Sequence, residues 1–280
     1  MSQNDRIAGL PMYDLPALRP ATDAFWAAIR RSLVARGFAD VPAGLTRDLD
    51  LEALWTHPDL LLAQACGLPL VTLLEGRVRF VATPVYAVEG CAGGDYRSWL
   101  IVREDSGITG ISELDGSIAA VNNPHSQSGA NALAILTAPF AKGRTFFADI
   151  RLTGSHAASV DAVRTNKATC AAIDCVTWHH LTRADPAARG GLRILAASPP
   201  VPALPFITAA SADERAVANL RATLPAAIGD ARAACRDLAI AGMAPNDEGA
   251  YARIREMHRV SLESGCTRLA TLLADPTASP

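Results

Sequence analysis

Strand-like and helix-like segments alternate along almost the whole of this chain, and that alternation limits the folds open to it. The clearest helical segment begins near Thr22, a residue that suits a helix N-cap, and ends at Gly37. Within it Phe25, Ile29 and Leu33 lie four residues apart, the spacing of one apolar helix face. Apolar runs without polar alternation lie between such segments, as expected for strands that are covered on both faces. The pattern therefore predicts an α/β architecture.

Two changes in composition divide the 280 residues into predicted domains. The segment 87–98 (AVEGCAGGDYRS) is rich in glycine, and the segment 198–206 (SPPVPALPF) is rich in proline. The block between them would be inserted into a discontinuous domain, so the chain would cross twice between the two domains. We predict a first lobe of residues 1–87 plus 200–280 and a second lobe of residues 88–199, with the crossings forming a hinge.

Charge and hydropathy exclude some classes of protein. The 26 Lys and Arg residues and the 28 Asp and Glu residues give a formal net charge of −2, which is too small to attract nucleic acid or anionic lipid. No segment approaches the roughly 18 unbroken apolar residues of a membrane helix. The first residues, MSQNDRIAGLPMYD, contain no apolar run typical of a secretory signal. We expect either a cytoplasmic protein or a sequence that lacks its leader.

Six cysteines are scattered through the chain without a C-x-x-C pair, which argues against a zinc site or a redox motif. They are Cys66, Cys91, Cys170, Cys175, Cys235 and Cys266. We expect them to be small buried hydrophobic residues. A disulfide between Cys66 and Cys91 is expected only if the protein is exported. The adjacent His179 and His180 are not predicted to bind a metal ion, because neighbouring helix positions point about 100° apart.

Polar residues follow three successive predicted strands of the central block. Ser126, Ser128 and Gly129 stand where the strand SIAAVN gives way to a helix, in the segment NNPHSQSGA. His156 follows a strand in FFADIRLTGS, and Asp174 follows a strand in TCAAI. In a parallel sheet such strand ends meet at one edge, where ligands of α/β proteins bind. Each residue also has an ordinary alternative, because Ser and Asp are common helix N-caps and a first-turn histidine can simply face solvent.

The residue types at these strand ends suit an oxyanion. A helix N-terminus offers backbone N–H groups and a partial positive charge to a phosphate or carboxylate group. The hydroxyl groups of Ser126 and Ser128 would add donors, and His156 would add another donor or a charge. The carboxylate of Asp174 would repel a fully ionised phosphate, so it needs a protonated acid oxygen or an ammonium group as its donor. The set therefore favours a monoprotonated phosphate or phosphonate, or a zwitterion such as an aminophosphonate.

Several segments between residues 7 and 208 add to this pattern: LPMYD, HPDLLLAQACGLPL, TPVY, NNPHSQSG, TGSHAASVDAV and ATCAAIDCVTW. Together they resemble the phosphate/phosphite/phosphonate solute-binding proteins of ABC transporters, which have the type 2 periplasmic binding fold. The resemblance implies a two-lobed α/β fold, with a mainly parallel sheet flanked by helices in each lobe and a two-strand hinge. It also implies a monomeric binding protein without a cofactor, which closes on a small phosphorus oxyanion for ABC-type uptake through a permease.

The resemblance also implies a set of ligand-binding residues. The family's positions map onto Tyr13, Tyr86, Ser126, Ser128, His156 and Asp174. Gln64 is a further candidate, because a buried glutamine in an apolar strand needs hydrogen-bond partners. Gln127 stands where the family usually has Ser or Thr, and its larger amide could reach the ligand or reduce the pocket. We therefore include Gln127 and Gly129 among the predicted ligand-binding residues.

Two other functions stay open from the sequence. The fold also hosts cytoplasmic enzymes, such as thiamine-pyrimidine synthases, and His156 with Asp174 could act as a catalytic pair. However, the chain has no G-x-S-x-G, P-loop, G-x-G-x-x-G or H-E-x-x-H pattern. A cytoplasmic sensor that reports its ligand to a separate partner protein is the other alternative. We predict a binding protein that is not an enzyme.

Overall fold

The computed structural model describes residues 6–141, 143–263 and 267–274. Its strands are β1 (Ile7–Gly9), β2 (Leu60–Gln64), β3 (Val78–Tyr86), β4 (Asp95–Tyr96), β5 (Ser98–Arg103), β6 (Ile118–Val121), β7 (Asp149–Leu152), β8 (Cys170–Asp174), β9 (Leu192–Ala197), β10 (Val201–Pro202), β11 (Phe206–Ala209) and β12 (Ile240–Ala244). Its α-helices are α1 (Arg19–Ala35), α2 (Leu51–Trp55), α3 (Gly67–Val71), α4 (Ala132–Ala141), α5 (His156–Arg164), α6 (Cys175–Ala184), α7 (Glu214–Asp230), α8 (Arg232–Asp237), α9 (Ala252–Glu263) and α10 (Thr267–Ala274). Within these described ranges, no helix is long and apolar enough to cross a membrane.

The chain divides into two compact units, each with a five-stranded sheet of its own. Of the described residues, unit 1 holds those up to Ala87, Ala92–Asp95 and Pro202–Tyr251, and unit 2 holds Val88–Cys91, Tyr96–Val201 and those from Ala252 onward. The glycine-rich and proline-rich segments of the sequence are places where the chain passes between the units.

The last helices belong to unit 2, which differs from the predicted grouping of residues 200–280 with the first lobe. The helix α9 packs against α4 and against the turn that precedes α4, while α10 contacts β7. The turn-forming segment PNDEG at residues 245–249 lies just before this further passage between units. This turn marks the boundary, but a turn does not show which unit the helices after it join.

The sheet of unit 1 has the strand order β1-β2-β11-β3-β12. β1 pairs parallel with β2, and β11 runs antiparallel between β2 and β3, so β1, β2 and β3 share one direction. β12 pairs antiparallel with β3. Every residue of β2 is buried, as expected for an apolar strand that is covered on both faces. β11 and β12 were not predicted, because both are short and lie in proline-rich and helix-rich surroundings.

The helix α1 buries the apolar face that its spacing predicts. Phe25, Ile29 and Leu33 are almost completely buried, in a core shared with β2, β3 and α7. Burying one such side chain contributes roughly 1.5–3 kcal/mol to folding. The predicted start of the helix is wrong, because α1 begins at Arg19. The hydroxyl of Thr22 instead donates a hydrogen bond of 3.2 Å to a backbone carbonyl one turn earlier.

The sheet of unit 2 has the strand order β7-β6-β8-β5-β9. β6 pairs parallel with both β7 and β8, whereas β5 pairs antiparallel with β8 and β9. Four of the strands therefore run in one direction, and β5 runs in the other. The α/β fold class is confirmed, with antiparallel strands inserted in both sheets. The carboxyl ends of β6, β7 and β8 lie at the same edge, where ligands of such sheets bind.

Candidate functional site

The helix starts that follow β6, β7 and β8 each carry a side-chain N-cap. The Ser126 hydroxyl accepts a hydrogen bond of 2.9 Å from the Gly129 N–H, and Ser155 caps α5 in the same way. Oδ1 of Asp174 accepts hydrogen bonds of 2.7 and 2.8 Å from two backbone N–H groups in the first turn of α6. The ordinary capping role is thus real for both Ser126 and Asp174, and any ligand role is additional to it.

The turn after Ser126 is π-helical (Gln127–Asn131) rather than α-helical. The Asn131 N–H donates to the Ser126 carbonyl at 3.0 Å, five residues back along the chain. Gly129 lies directly against Asn122, because a Cβ at Gly129 would be 1.8 Å from Asn122 Oδ1. Close approach, and not a special backbone angle, therefore requires glycine here. We call residues Gln127–Asn131 the π-turn; such turns are frequent at functional sites.

Ser126, Ser128 and His156 form a connected polar group at this edge. The two serine Oγ atoms are 3.4 Å apart, and Ser128 Oγ is 2.8 Å from Nε2 of His156. Both serines are buried. The contact joins the helix start after β6 to the helix start after β7. With Asp174, which ends the neighbouring strand β8, we call these residues the unit 2 cluster.

His156 is uncharged at neutral pH. Burial lowers the pKa of its imidazole from 6.5 to about 4. Its Nδ1 atom is buried and has no hydrogen-bond partner in the part of the chain that the structure describes. A neutral imidazole donates from only one ring nitrogen, so Nε2 can supply one hydrogen bond without a charge. None of the four residues of the unit 2 cluster is Lys or Arg, so these side chains bring no positive charge.

The predicted residues of unit 1 also come together, near the carboxyl ends of β1, β2 and β3. Nε2 of Gln64 donates to the Tyr86 hydroxyl at 2.7 Å and to the Leu204 carbonyl at 3.2 Å. The rings of Tyr86 and Tyr13 meet edge to face, with centroids 5.2 Å apart. These side chains line a cavity of unit 1 together with Thr22. We call Tyr13, Gln64 and Tyr86 the unit 1 cluster.

Comparison with known families decides what kind of protein carries these clusters. The family model described as "ABC transporter, phosphonate, periplasmic substrate-binding protein" matches residues 59–251, more than half of the chain. The chain belongs to this family. The matched region contains the whole unit 2 cluster and all of the unit 1 cluster except Tyr13. No curated protein sequence shows significant similarity to the chain.

Solved structures share the fold of this phosphonate-family protein. PhnD1 from Prochlorococcus marinus in complex with methylphosphonate is 14% identical, with a TM-score of 0.73 over 91% of this chain and 97% of that one. A binding protein component of an ABC phosphonate transporter from Pseudomonas aeruginosa is 16% identical, with a TM-score of 0.72 and coverages of 96% and 95%. A Xanthomonas citri protein bound to a chloride ion is 17% identical, with a TM-score of 0.71 and coverages of 92% and 98%. These likenesses show the type 2 periplasmic binding fold.

Gln127 has internal partners in this phosphonate-family chain. Its Oε1 accepts a hydrogen bond of 2.7 Å from Nδ2 of Asn131, and its Nε2 lies 3.1 Å from Sδ of Met257 in α9. Only 1% of the residue is exposed. These contacts tie the π-turn to α9. They give Gln127 a packing role, and its contact with a ligand stays a prediction.

Asn122 and Asn131 were not among the predicted site residues. Both lie beside the SQSG segment, and both have a buried Oδ1 atom without a hydrogen-bond partner among the described residues. Asn131 is completely buried, and Asn122 sets the space available at Gly129. Both could have been predicted on the same physical ground as Gln64, since a buried amide needs hydrogen-bond partners. The signal in the sequence was the presence of two asparagines on either side of an apolar helix start.

The unit 2 cluster is poorly equipped for catalysis. Ser128 and His156 are at the distance of a nucleophile and its base. However, a histidine with a pKa of about 4 is a weak base at neutral pH, and no described residue orients its Nδ1 atom. Among the described residues, no group of three His, Cys, Asp or Glu side chains could hold a metal ion. The arrangement is better suited to donating hydrogen bonds than to activating a nucleophile.

Proposed function

We propose that this protein is a solute-binding protein for a small phosphorus oxyanion (phosphate, phosphite or phosphonate), serving ABC-type uptake. The observation that carries the proposal is the contact of 2.8 Å between Ser128 and His156, at the carboxyl edge of three parallel strands. It brings two serine hydroxyls, one imidazole and the first turns of helices to one place. Hydroxyl groups and helix N-termini together are well suited to oxyanion oxygens.

The electrostatics of the unit 2 cluster favour a ligand of low charge. His156 is neutral at pH 7, and the cluster includes the buried residue Asp174. A carboxylate beside an oxyanion is favourable only if the ligand supplies a proton or an ammonium group between them. We therefore propose a monoprotonated phosphonate or phosphite, or an aminophosphonate, rather than a fully ionised phosphate.

The comparisons support the class of ligand. The family model is described as a phosphonate substrate-binding family, and one structure of the same fold is a complex with methylphosphonate. We further propose that the unit 1 cluster provides ligand contacts of its own, through the Tyr86 and Tyr13 hydroxyls. Gln64 would then act indirectly, because its amide already holds the Tyr86 hydroxyl at 2.7 Å.

Thermal unfolding of extensively dialysed protein tests the ligand class. The panel would contain phosphate, phosphite, methylphosphonate, 2-aminoethylphosphonate and sulfate. A ligand at 100 times its dissociation constant adds about 2.7 kcal/mol of stability. For a chain of this size that raises the midpoint by roughly 5–10 °C. We expect this shift with at least one phosphorus oxyanion and not with sulfate.

Variants connect the shift to the unit 2 cluster. Ser128→Ala removes the hydroxyl that contacts His156, and it should remove roughly half or more of the shift. Ser261→Ala is a matched control, because Ser261 is also buried in unit 2 but its hydroxyl donates to a carbonyl within α9. A shift of undiminished size in Ser128→Ala would exclude this cluster as the site. The proposal would be contradicted if folded, ligand-free protein showed no shift of its unfolding midpoint with any phosphorus oxyanion of the panel.

A further inference from the structure

Two cysteines of unit 2 lie side by side. Sγ of Cys91 is 3.5 Å from Sγ of Cys175, although 84 positions separate the residues in sequence. Cys175 is buried at the start of α6, while Cys91 is partly exposed. Within unit 2 the sulfur beside Cys91 is that of Cys175, whereas the sequence suggested Cys66 as its partner only if the protein is exported.

The backbone around Cys91 is built for this close approach. Gly90 has a φ of +93°, and a Cβ at Gly90 would lie 2.6 Å from the Trp99 ring and 3.0 Å from the Cβ of Cys175. Glycine thus lets the segment Val88–Cys91 rest directly on Trp99 and on the start of α6. The Cys91 N–H closes the turn by donating to the Val88 carbonyl at 3.1 Å. The sulfur contact therefore follows from backbone placement as well as from side-chain rotamers.

We propose that Cys91 and Cys175 form a reversible disulfide when the protein meets a disulfide oxidant, such as oxidised glutathione or the disulfide of a thiol oxidoreductase. A thiolate of the pair attacks the oxidant and releases one thiol. The second cysteine attacks the mixed disulfide, the sulfur–sulfur bond of the protein forms, and the second thiol leaves. Two electrons and two protons pass to the oxidant, which is reduced to two thiols.

The two sulfurs have different parts in this exchange. The Cys175 thiol makes a hydrogen bond with Cys91 and is buried. Both effects raise its pKa far above the ordinary value of a thiol. Cys91 is the more exposed of the two, so it is the attacking sulfur and Cys175 is the resolving one. Thiolate is the reactive form of a cysteine, so the closure is faster at higher pH.

The bond would join the segment Val88–Cys91 to the residue that follows Asp174. A cross-link between residues this far apart in sequence restricts the unfolded chain strongly. The oxidised protein should therefore unfold at a temperature roughly 5–10 °C above that of the reduced protein. This inference does not depend on the proposed ligand, because it concerns the covalent state of unit 2.

Mass spectrometry of the full chain tests the proposal. The protein is incubated with oxidised glutathione, its free thiols are blocked with iodoacetamide, and it is digested with trypsin without reduction. We expect peptide 80–97, which contains Cys91, linked to peptide 168–183. The second peptide also contains Cys170, so the bond is assigned with variants. The link should persist in Cys170→Ala and disappear in Cys175→Ala.

Thermal unfolding gives a second test of the disulfide. After oxidation, the unfolding midpoint of the wild type should fall on reduction with a phosphine, and that of Cys91→Ser should not. Cys91 is the less buried partner, so its variant is the safer one for folding. Absence of the linked peptide after prolonged oxidation, or linkage of Cys91 to any other cysteine, would overturn the proposal.

Discussion

Ser128 Oγ lies 2.8 Å from His156 Nε2, although 28 positions separate the two residues in sequence. The contact exists because β6 and β7 are parallel neighbours, so the turns that follow them start from the same edge of the sheet. Burial at this edge lowers the pKa of the histidine, which lies against a buried hydroxyl. A neutral imidazole and two hydroxyls make a donor set that recognises oxygen atoms without imposing a high ligand charge.

Removal of the Ser128 hydroxyl tests the donor role most simply. A hydrogen bond to a charged ligand contributes about 1.5–3 kcal/mol, so Ser128→Ala should weaken binding of a phosphorus oxyanion roughly 10- to 100-fold. Isothermal titration calorimetry measures the change, with Ser261→Ala as the control. Equal affinity in the two variants would mean that Ser128 does not contact the ligand.

Gly129→Ala tests the space inside the π-turn. The new methyl group would meet Asn122 Oδ1 at 1.8 Å, so Asn122 and Ser126 must move, and we expect a loss of about 1–3 kcal/mol in unfolding free energy. Gly229→Ala is the matched control, because nothing lies within 4 Å of its new Cβ in α7. That change should stabilise the protein by up to about 1 kcal/mol. Urea unfolding of both variants should therefore give shifts of opposite sign, and a neutral Gly129→Ala would contradict the close approach.

Asp174→Asn separates the charge of this side chain from its capping role. Asparagine caps helices about as well as aspartate, so the stability of α6 should change little. The amide has no negative charge to accept strongly from an ammonium group, so the affinity for 2-aminoethylphosphonate should fall more than that for methylphosphonate. Calorimetric titration of both ligands gives the ratio. An unchanged ratio would show that Asp174 does not select the ligand's charge.

His156 should make the stability of the protein depend on pH. Its pKa is about 4 in the folded chain and 6.5 when unperturbed, so between these values the unfolded chain binds more protons. Stability is therefore fully present above pH 6.5 and falls as the pH is lowered to 4, by about 3 kcal/mol at most from this group. Denaturant unfolding of the wild type and His156→Asn across this range isolates the effect. Parallel curves for the two proteins would contradict the assignment.

Local patterns in the sequence were sufficient to predict that the helix starts after β6, β7 and β8 lie at one edge of a sheet. Ser126, His156 and Asp174 each follow an apolar strand, and adjacent parallel strands bring such ends together. The grouping of α9 could not be read in the same way. It depends on the packing of Met257 against Gln127, a contact across 130 positions that no local pattern encodes.

Capping signals were less dependable than apolar spacing. The buried face of α1 follows from the positions of Phe25, Ile29 and Leu33, because burial depends on the helical repeat. The start of α1 did not follow from Thr22, because a threonine can also donate to a carbonyl inside a helix, as it does here. The pairing of Cys91 with Cys175 was likewise hidden, since sequence spacing says nothing about which distant turns meet.

The most direct test of the central claim is calorimetric titration of methylphosphonate and of sulfate into dialysed wild-type protein at neutral pH. We predict saturable binding of methylphosphonate at one site per chain, little or no binding of sulfate, and a large loss of affinity in Ser128→Ala. Folded protein that is free of ligand and shows no saturable heat with methylphosphonate, phosphite, phosphate or 2-aminoethylphosphonate would contradict the claim that the unit 2 cluster binds a phosphorus oxyanion.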